Sequence, residues 1–90
     1  MNCKIERIVA AEDAVVLRVS GRIDGDHVGM LRESIAQEKG GVAIDLTEVI
    51  LADREAVRLL AVSEANGAEL TNCPAHIQEW VARERNGTSA

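Results

Sequence analysis

Three carboxylates fall within one short stretch of the sequence and could do acid–base chemistry. Asp45, Asp53 and Glu55 lie along one predicted strand-to-helix connection, and a pair of carboxylates can act as general acid and general base. No Ser/His/Asp order, glycine-rich phosphate loop or ligand cluster accompanies them. A structural role also accounts for each: Asp53 caps a helix, Glu55 occupies its first turn, and Asp45 closes a strand. We therefore predict no catalytic residues, and an enzyme using these three groups is the weaker hypothesis.

The cysteines and histidines are too scattered to predict a metal or redox site. Cys3 and Cys73 are 70 positions apart, which matches neither a disulfide framework nor a CxxC pair. His27 and His76 are equally isolated, with no spacing that places two ligands on one face. We predict ordinary thiols, no metal and no cofactor.

Composition and charge exclude several classes of partner. The chain of 90 residues has a net charge of -5, no Phe, no Tyr and one Trp. The lack of aromatic residues argues against binding by base stacking, and the acidic charge argues against nucleic-acid backbones and acidic membranes. No apolar run approaches the roughly 20 residues that span a bilayer, and the N-terminal residues do not resemble a signal peptide. We expect a cytoplasmic protein without nucleic-acid binding or membrane insertion.

The first half of the chain predicts a β-hairpin followed by a helix. Residues 3–9 and 14–19 are rich in strand-forming side chains and lie close enough to pair. Residues 20–22 are predicted to end the second strand, and Asp24-Gly25-Asp26 suits a helix start. The helix is indicated by apolar residues at spacings of three and four and should end at Gly40-Gly41; these apolar residues are Val28, Leu31 and Ile35.

The second half predicts two further strand–helix pairs. Residues 42–46 form a nearly continuous apolar run typical of a central strand, and residues 47–52 are predicted to be a link. Asp53 should cap the next helix, which ends at Asn66-Gly67. Residues 68–71 predict a short strand. The last helix has one apolar face, formed by Ile77, Trp80 and Val81, which we interpret as core.

The order of elements defines the fold class. The alternation β-β-α-β-α-β-α predicts an α/β protein with parallel pairing after the initial hairpin. The expected architecture is a four-stranded mixed sheet with helices packed mainly on one face. We place a single domain at residues 3–85 and a flexible C-terminal tail at 86–90.

Three segments of the sequence, residues 45–57, 17–24 and 72–74, resemble the motifs of one known family. Residues 45–57 are similar to the family stretch D-L-S-G-V-x-x-x-D-S-S/T-G-L. The identical positions are Asp45, Leu46, Val49 and Asp53, and the near matches are Thr47 and Val57. Residues 17–24 resemble V-x-L-x-G-x-L-D, with Gly21 and Asp24 matching. Residues 72–74 resemble the family's N-P turn with one residue inserted. In these segments the chain resembles STAS domains, the family of anti-sigma factor antagonists and of the cytoplasmic tails of sulfate transporters. The resemblance implies a STAS-like fold over nearly the whole chain.

The resemblance implies a non-enzymatic protein–protein interaction module in bacterial signalling. In the antagonists, a Ser or Thr in this stretch is phosphorylated by the anti-sigma kinase, and the added charge releases the complex. Here that position is Glu55, preceded by Arg54, so it cannot be phosphorylated. Either Glu55 stands in permanently for the phosphate or it only stabilises the helix start. The implied partner-binding residues are Asp24, Asp53, Arg54 and Glu55.

The implied partner is another protein, either an anti-sigma factor or serine kinase-like regulator, or a transporter subunit. The transport reading makes the chain a small STAS subunit of a membrane lipid transport complex, because single STAS domains occur in such complexes. Larger family members continue with another strand and helix. A missing edge strand leaves backbone groups unpaired, which favours a homodimer or a partner that covers them.

Overall fold

The described part of the chain contains four strands and three helices in the predicted order. The computed structural model describes residues 3–10, 12, 14–38 and 41–87. The strands are β1 (Cys3–Val9), β2 (Val15–Ile23), β3 (Val42–Ala52) and β4 (Glu69–Thr71), and the helices are α1 (Gly25–Ala36), α2 (Arg54–Ala65) and α3 (Ala75–Gly87). The predicted order of elements, β-β-α-β-α-β-α, is confirmed.

The strands form one mixed sheet in the spatial order β1-β2-β3-β4. The hairpin pairs β1 and β2 antiparallel, with Ile5 opposite Val19. The β2–β3 and β3–β4 pairs are parallel, and α1 and α2 make the two crossover connections. β1 and β4 are therefore the two edges of the sheet.

The helices cover one face of this sheet. Along β2 the buried Val15, Leu17 and Val19 alternate with the more exposed Val16 and Arg18. This period of two is expected of a strand that is covered on one side only. β3 shows the same alternation through Ile44 and Leu46, so the predicted one-sided arrangement is confirmed. We call the uncovered side the open face.

Aliphatic side chains fill the core, and α2 lies at its centre. α2 packs against both α1 and α3, which gives it six buried residues where α1 has two. Trp80 on α3 is half-buried against this core, as its spacing with Ile77 and Val81 predicts. With no Phe or Tyr available, the residues fully enclosed are mainly Leu17, Ile23, Leu31, Ile44, Leu46, Leu60 and Ile77.

Two predicted strand boundaries are wrong, and both errors have one cause. β2 continues through residues 20–22, and β3 continues through the predicted link at 47–52. The ladder shifts register between Arg18 and Ser20 and again between Gly21 and Arg22, so residues 18–23 of β2 pair along residues 45–52 of β3, six residues beside eight. Gly21 has φ +90°, a conformation that side chains disfavour. Both errors arise from these bulges, because a bulge lets a strand continue through residues that are typical of turns.

The helix ends also differ from the sequence expectation. α1 ends at Ala36, ahead of the predicted stop at Gly40-Gly41, of which Gly40 lies outside the described residues. α2 does end at Asn66-Gly67, where Gly67 has φ +106°. α3 runs to Gly87 and includes the first two residues of the predicted tail, whereas 88–90 lie outside the described residues. None of the described helices has the length and apolar character required to cross a membrane.

Candidate functional site

The carboxyl ends of β2 and β3 bring the starts of α1 and α2 together. The Asp53 N–H donates to the Ile23 carbonyl at 3.0 Å, which ties the two strand ends. A β-carbon added at Gly25 would lie 3.8 Å from Glu55 Oε2 and 4.0 Å from Asp53 Oδ2. The structure therefore places the predicted Asp24 loop beside the predicted Asp53–Glu55 segment. We call Asp24, Asp26, Asp53 and Glu55 the acidic end.

Asp53 is the N-cap of α2, as the sequence predicts. Its backbone is extended (φ -84°, ψ -178°), and Oδ1 accepts a hydrogen bond from the Ala56 N–H at 2.9 Å. The Asp53 carbonyl accepts from the Val57 N–H, also at 2.9 Å. One carboxylate oxygen thus satisfies a helix donor that would otherwise be unpaired, and the other faces Gly25 at the surface.

Asp24 holds the equivalent position before α1 but uses its side chain differently. Its carboxylate makes no hydrogen bond to the helix backbone. Oδ1 lies 2.8 Å from Nδ1 of His27, although this approach is not aligned as a hydrogen bond. The Asp24 side chain is 53% exposed, so most of its charge faces solvent.

Arg54 and Glu55 occupy the first turn of α2, and both are exposed. Within the described part of the chain, neither side chain forms a hydrogen bond or an ion pair with another residue. A carboxylate in the first helical turn is favoured by the partial positive charge of the helix N-terminus. Glu55 therefore presents its carboxylate to solvent, and no side chain in the described part of the chain is bound to it.

Two apolar side chains lie next to the acidic end in the sequence. The sequence analysis did not predict that they are exposed. Ile50 is 55% exposed and Leu51 is 48% exposed, at the end of β3 just before Asp53. Leu51 pairs with Arg22, beyond the second register shift. Since residues 47–52 were predicted to be a link, the only signal was the apolar run Val49-Ile50-Leu51.

Asp45 does not join the acidic end. It lies seven residues before Ala52 in β3, which at about 3.3 Å per residue separates it from Asp53 by roughly 20 Å or more. Its Oδ1 accepts hydrogen bonds from the Thr47 hydroxyl at 2.6 Å, the Thr47 N–H at 2.9 Å and the Asn72 side-chain amide at 3.4 Å. The three carboxylates considered for acid–base chemistry therefore do not converge, and the prediction that Asp45 closes a strand is also wrong.

Asp45 instead stabilises the bulge at which β3 changes register. The hydrogen bond from the Thr47 hydroxyl contributes most to lowering the pKa of the Asp45 carboxyl. Smaller contributions come from the hydrogen bonds of the Thr47 N–H and the Asn72 amide and from the charge of Arg18. Burial opposes these effects. Arg18 Nε lies 3.8 Å from Asp45 Oδ2 across the open face. The carboxylate thus binds a backbone donor that the disrupted ladder leaves available.

The cysteines and histidines do not form a site among the described residues. Cys3 and Cys73 are free and half-buried, and burial is the main cause that raises the pKa of each thiol. No group of three or more His, Cys, Asp or Glu side chains in residues 3–10, 12, 14–38 and 41–87 is arranged to hold a metal ion.

No protein-family model matches the sequence, and no curated protein matches it. Solved structures do match. The phosphorylated form of SpoIIAA, a Bacillus cell fate determinant, has a TM-score of 0.70 at 16% identity, over 94% of this chain and 86% of that one. The unphosphorylated anti-sigma factor antagonist SpoIIAA has a TM-score of 0.67 at 16% identity, over 84% and 79%.

A third structure carries the family name that the sequence motifs resemble. The anti-sigma factor antagonist STAS domain from Rhodobacter sphaeroides has a TM-score of 0.58 at 17% identity, over 76% of this chain and 82% of that one. These similarities span most of each chain but have low identity, so they bear on architecture. The chain has the fold of the STAS domains of anti-sigma factor antagonists.

Proposed function

We propose that the chain is a non-enzymatic binding module of bacterial signalling that contacts a partner protein through the acidic end. One observation carries the proposal: Gly25, between Asp24 and Asp26, lies beside Asp53 and Glu55, and the exposed Ile50 and Leu51 end β3 just before Asp53. An apolar anchor bordered by charge is a common composition of protein interfaces. The architecture shared with anti-sigma factor antagonists supports the same reading.

The chemistry of the acidic end defines the partner's surface. Asp24, Asp53 and Glu55 present negative charge, with Arg54 as a positive group at the same helix start. Complementary potentials raise association rates and discriminate between partners. The expected partner is a cytoplasmic regulator with a basic patch around an apolar pocket, similar to an anti-sigma factor or serine kinase.

Glu55 gives this module a charge that does not switch. SpoIIAA is known in phosphorylated and unphosphorylated forms, and the motif resemblance puts Glu55 at the position phosphorylated in antagonists. A carboxylate carries one negative charge where a phosphate carries nearly two. We propose that Glu55 belongs to the binding surface itself and stabilises the start of α2, so that binding is independent of phosphorylation.

The test is a pull-down from the native cytoplasm with the tagged chain, followed by calorimetry with the protein that is captured. Glu55→Lys should weaken binding about tenfold at low salt, because it replaces attraction to a basic patch by repulsion. Ile50→Ser should weaken binding by loss of the apolar anchor. Glu79→Lys, the same charge change at an exposed position of α3, is the matched control. Unchanged affinity for the first two variants would remove the acidic end from the interface.

A second variant separates the two roles considered for Glu55. We expect Glu55→Ser to capture the same partner, since Asp24, Asp26 and Asp53 keep the surface acidic. A kinase or sigma regulator captured only by Glu55→Ser would contradict this and show that Glu55 acts as a permanent phosphate substitute. An ATPase and a permease in the eluate would instead support the alternative of a lipid transport subunit.

A further inference from the structure

The outer edge of β1 is regular, and none of the described strands pairs with it. β1 pairs with β2 through seven consecutive residues, Cys3 to Val9, and this ladder has no register shift. The strand contains no proline, and it lies at the end of the sheet. Regular edge strands without bulges or prolines present their backbone groups to another chain. This edge belongs to neither the acidic end nor the proposed binding surface.

The hairpin fixes which backbone groups point outward. The Ala10 N–H donates to the Ala14 carbonyl at 2.7 Å, so Ala10 and Ala14 form a hydrogen-bonded pair. Such pairs alternate along an antiparallel ladder, which directs the backbone groups of residues 4, 6 and 8 toward β2. Cys3, Ile5 and Arg7 therefore direct their N–H and C=O groups away from the sheet.

The side chains of β1 differ between its two faces. Ile5 pairs with buried Val19 and packs against the core on the helix-covered side. Lys4 and Glu6 lie on the open face, where Lys4 Nζ is 3.9 Å from Glu6 Oε2 and both side chains are substantially exposed. Two residues apart, these opposite charges are placed to meet their counterparts on an antiparallel copy.

We propose that β1 pairs antiparallel with β1 of a second copy, with Ile5 opposite Ile5 across a two-fold axis. In this register Ile5 forms a hydrogen-bonded pair through its outward backbone groups. Lys4 of each copy then faces Glu6 of the other at non-hydrogen-bonded positions, where side chains approach most closely. The two Ile5 side chains meet on the helix-covered side and extend the core.

Charge selects this register over its neighbours. A two-fold axis through residue 4 would oppose two lysines, and one through residue 6 would oppose two glutamates. An axis through residue 7 would oppose two arginines, each already bound to Glu38 of its own chain at 2.8 Å, and would bring no opposite charges together. Like charges directly opposite each other destabilise a pair of strands. Among axes through residues 4 to 7, the one at Ile5 brings opposite charges together, twice per dimer. The result is a continuous eight-stranded sheet.

Charge-exchange variants test the proposal by sedimentation velocity, at protein concentrations up to about millimolar because a single strand pair is a small interface. Lys4→Glu should raise the dimer dissociation constant about tenfold, since both attractive pairs become repulsive. The double variant Lys4→Glu/Glu6→Lys should restore association. Unfolding midpoints at low concentration check that each monomer is folded, since Glu6 also faces Arg18 within the chain. A monomer at every concentration, or a double variant as weak as the single one, would overturn the proposal.

Disulfide trapping tests the register itself. In a Cys3→Ser/Cys73→Ser background, chains carrying Lys4→Cys are mixed with chains carrying Glu6→Cys and oxidised. Non-hydrogen-bonded partners have Cα atoms about 4.5 Å apart, within the range for a disulfide. Cross-links between the two kinds of chain should exceed those between identical chains, and Glu79→Cys gives the background from collisions. A predominance of Glu6→Cys homodimers would overturn the register, and cross-linking at the background level would overturn the strand pairing.

Discussion

The two crossover helices start alike in sequence and differ in how they are held. Asp24 and Asp53 each follow a strand, adopt extended backbone and precede a helix with an acidic residue in its first turn. The Asp53 side chain accepts a hydrogen bond from the Ala56 N–H, whereas the Asp24 side chain faces His27 and makes no bond to the helix backbone. At Asp24 only the backbone carbonyl accepts from the helix, from the N–H groups of His27 and Val28. The same residue type at the same position thus serves structure in one helix and leaves its charge exposed in the other.

The two helices also differ in how many residues they bury. α2 lies between α1 and α3 and buries six residues, while α1 buries Val28 and Leu31. A helix that is enclosed on two sides has little freedom to shift its start. We therefore expect α2 to hold its half of the acidic end more firmly than α1 holds the other half.

Truncation of one core leucine in each helix should give the largest difference between α1 and α2 in the free energy of unfolding that is lost. Leu60 on α2 and Leu31 on α1 are both fully buried. Leu60→Ala should cost about 4 kcal/mol and Leu31→Ala about 2–3 kcal/mol, because neighbours enclosed on two sides collapse less into the cavity. Urea unfolding followed by circular dichroism measures both. Equal losses would show that the two helices are anchored equally.

Removal of the aspartate that precedes each helix should give a smaller difference in the free energy of unfolding. Asp53→Ala should cost about 1 kcal/mol through loss of the cap. Asp24→Ala should cost less than about 0.5 kcal/mol, since its side chain makes no cap. Asp53→Asn, which keeps an acceptor for the Ala56 N–H, is the control and should recover most of the loss. If Asp24→Ala proves as costly as Asp53→Ala, the contrast between the two helix starts fails.

A third aspartate should give the smallest effect and depend on pH. Hydrogen bonds from Thr47 lower the pKa of Asp45 below its usual value of 3.8. A depressed carboxyl pKa adds stability above the unfolded-state value, and this is lost as the pH falls through the folded-state value. Asp45→Asn should therefore reduce the loss of stability seen in unfolding curves below about pH 4. An unaltered acid profile in Asp45→Asn would show that the Thr47 contacts contribute no net stability.

Local signals in the sequence predicted the elements and the cap but not the full length of the central strands. The runs of strand-forming residues, the spacing of three and four in the helices and the chemistry of Asp53 are all local signals. The extension of β2 and β3 depends on bulges, which form between strands distant in sequence. Ser20-Gly21-Arg22 carries the residues of a turn, and only pairing with β3 makes them a strand.

The sequence predicted the charged residues of the candidate site but not the apolar residues beside them. Motif resemblance and helix-start chemistry gave Asp24, Asp53, Arg54 and Glu55, and the structure brings their segments together. Ile50 and Leu51 were missed, because their exposure results from the second register shift. Asp45 was grouped with Asp53 and Glu55 through proximity in sequence, and the extended strand between them separates them in space.

The single half-buried Trp80 has an optical consequence. With no Tyr or Phe in the chain, all aromatic emission and near-ultraviolet dichroism come from one indole on α3, packed against the core. Fluorescence therefore follows the docking of the last helix, whereas far-ultraviolet dichroism follows the backbone as a whole. Comparing the two signals along one unfolding curve shows whether α3 separates first or leaves together with the sheet.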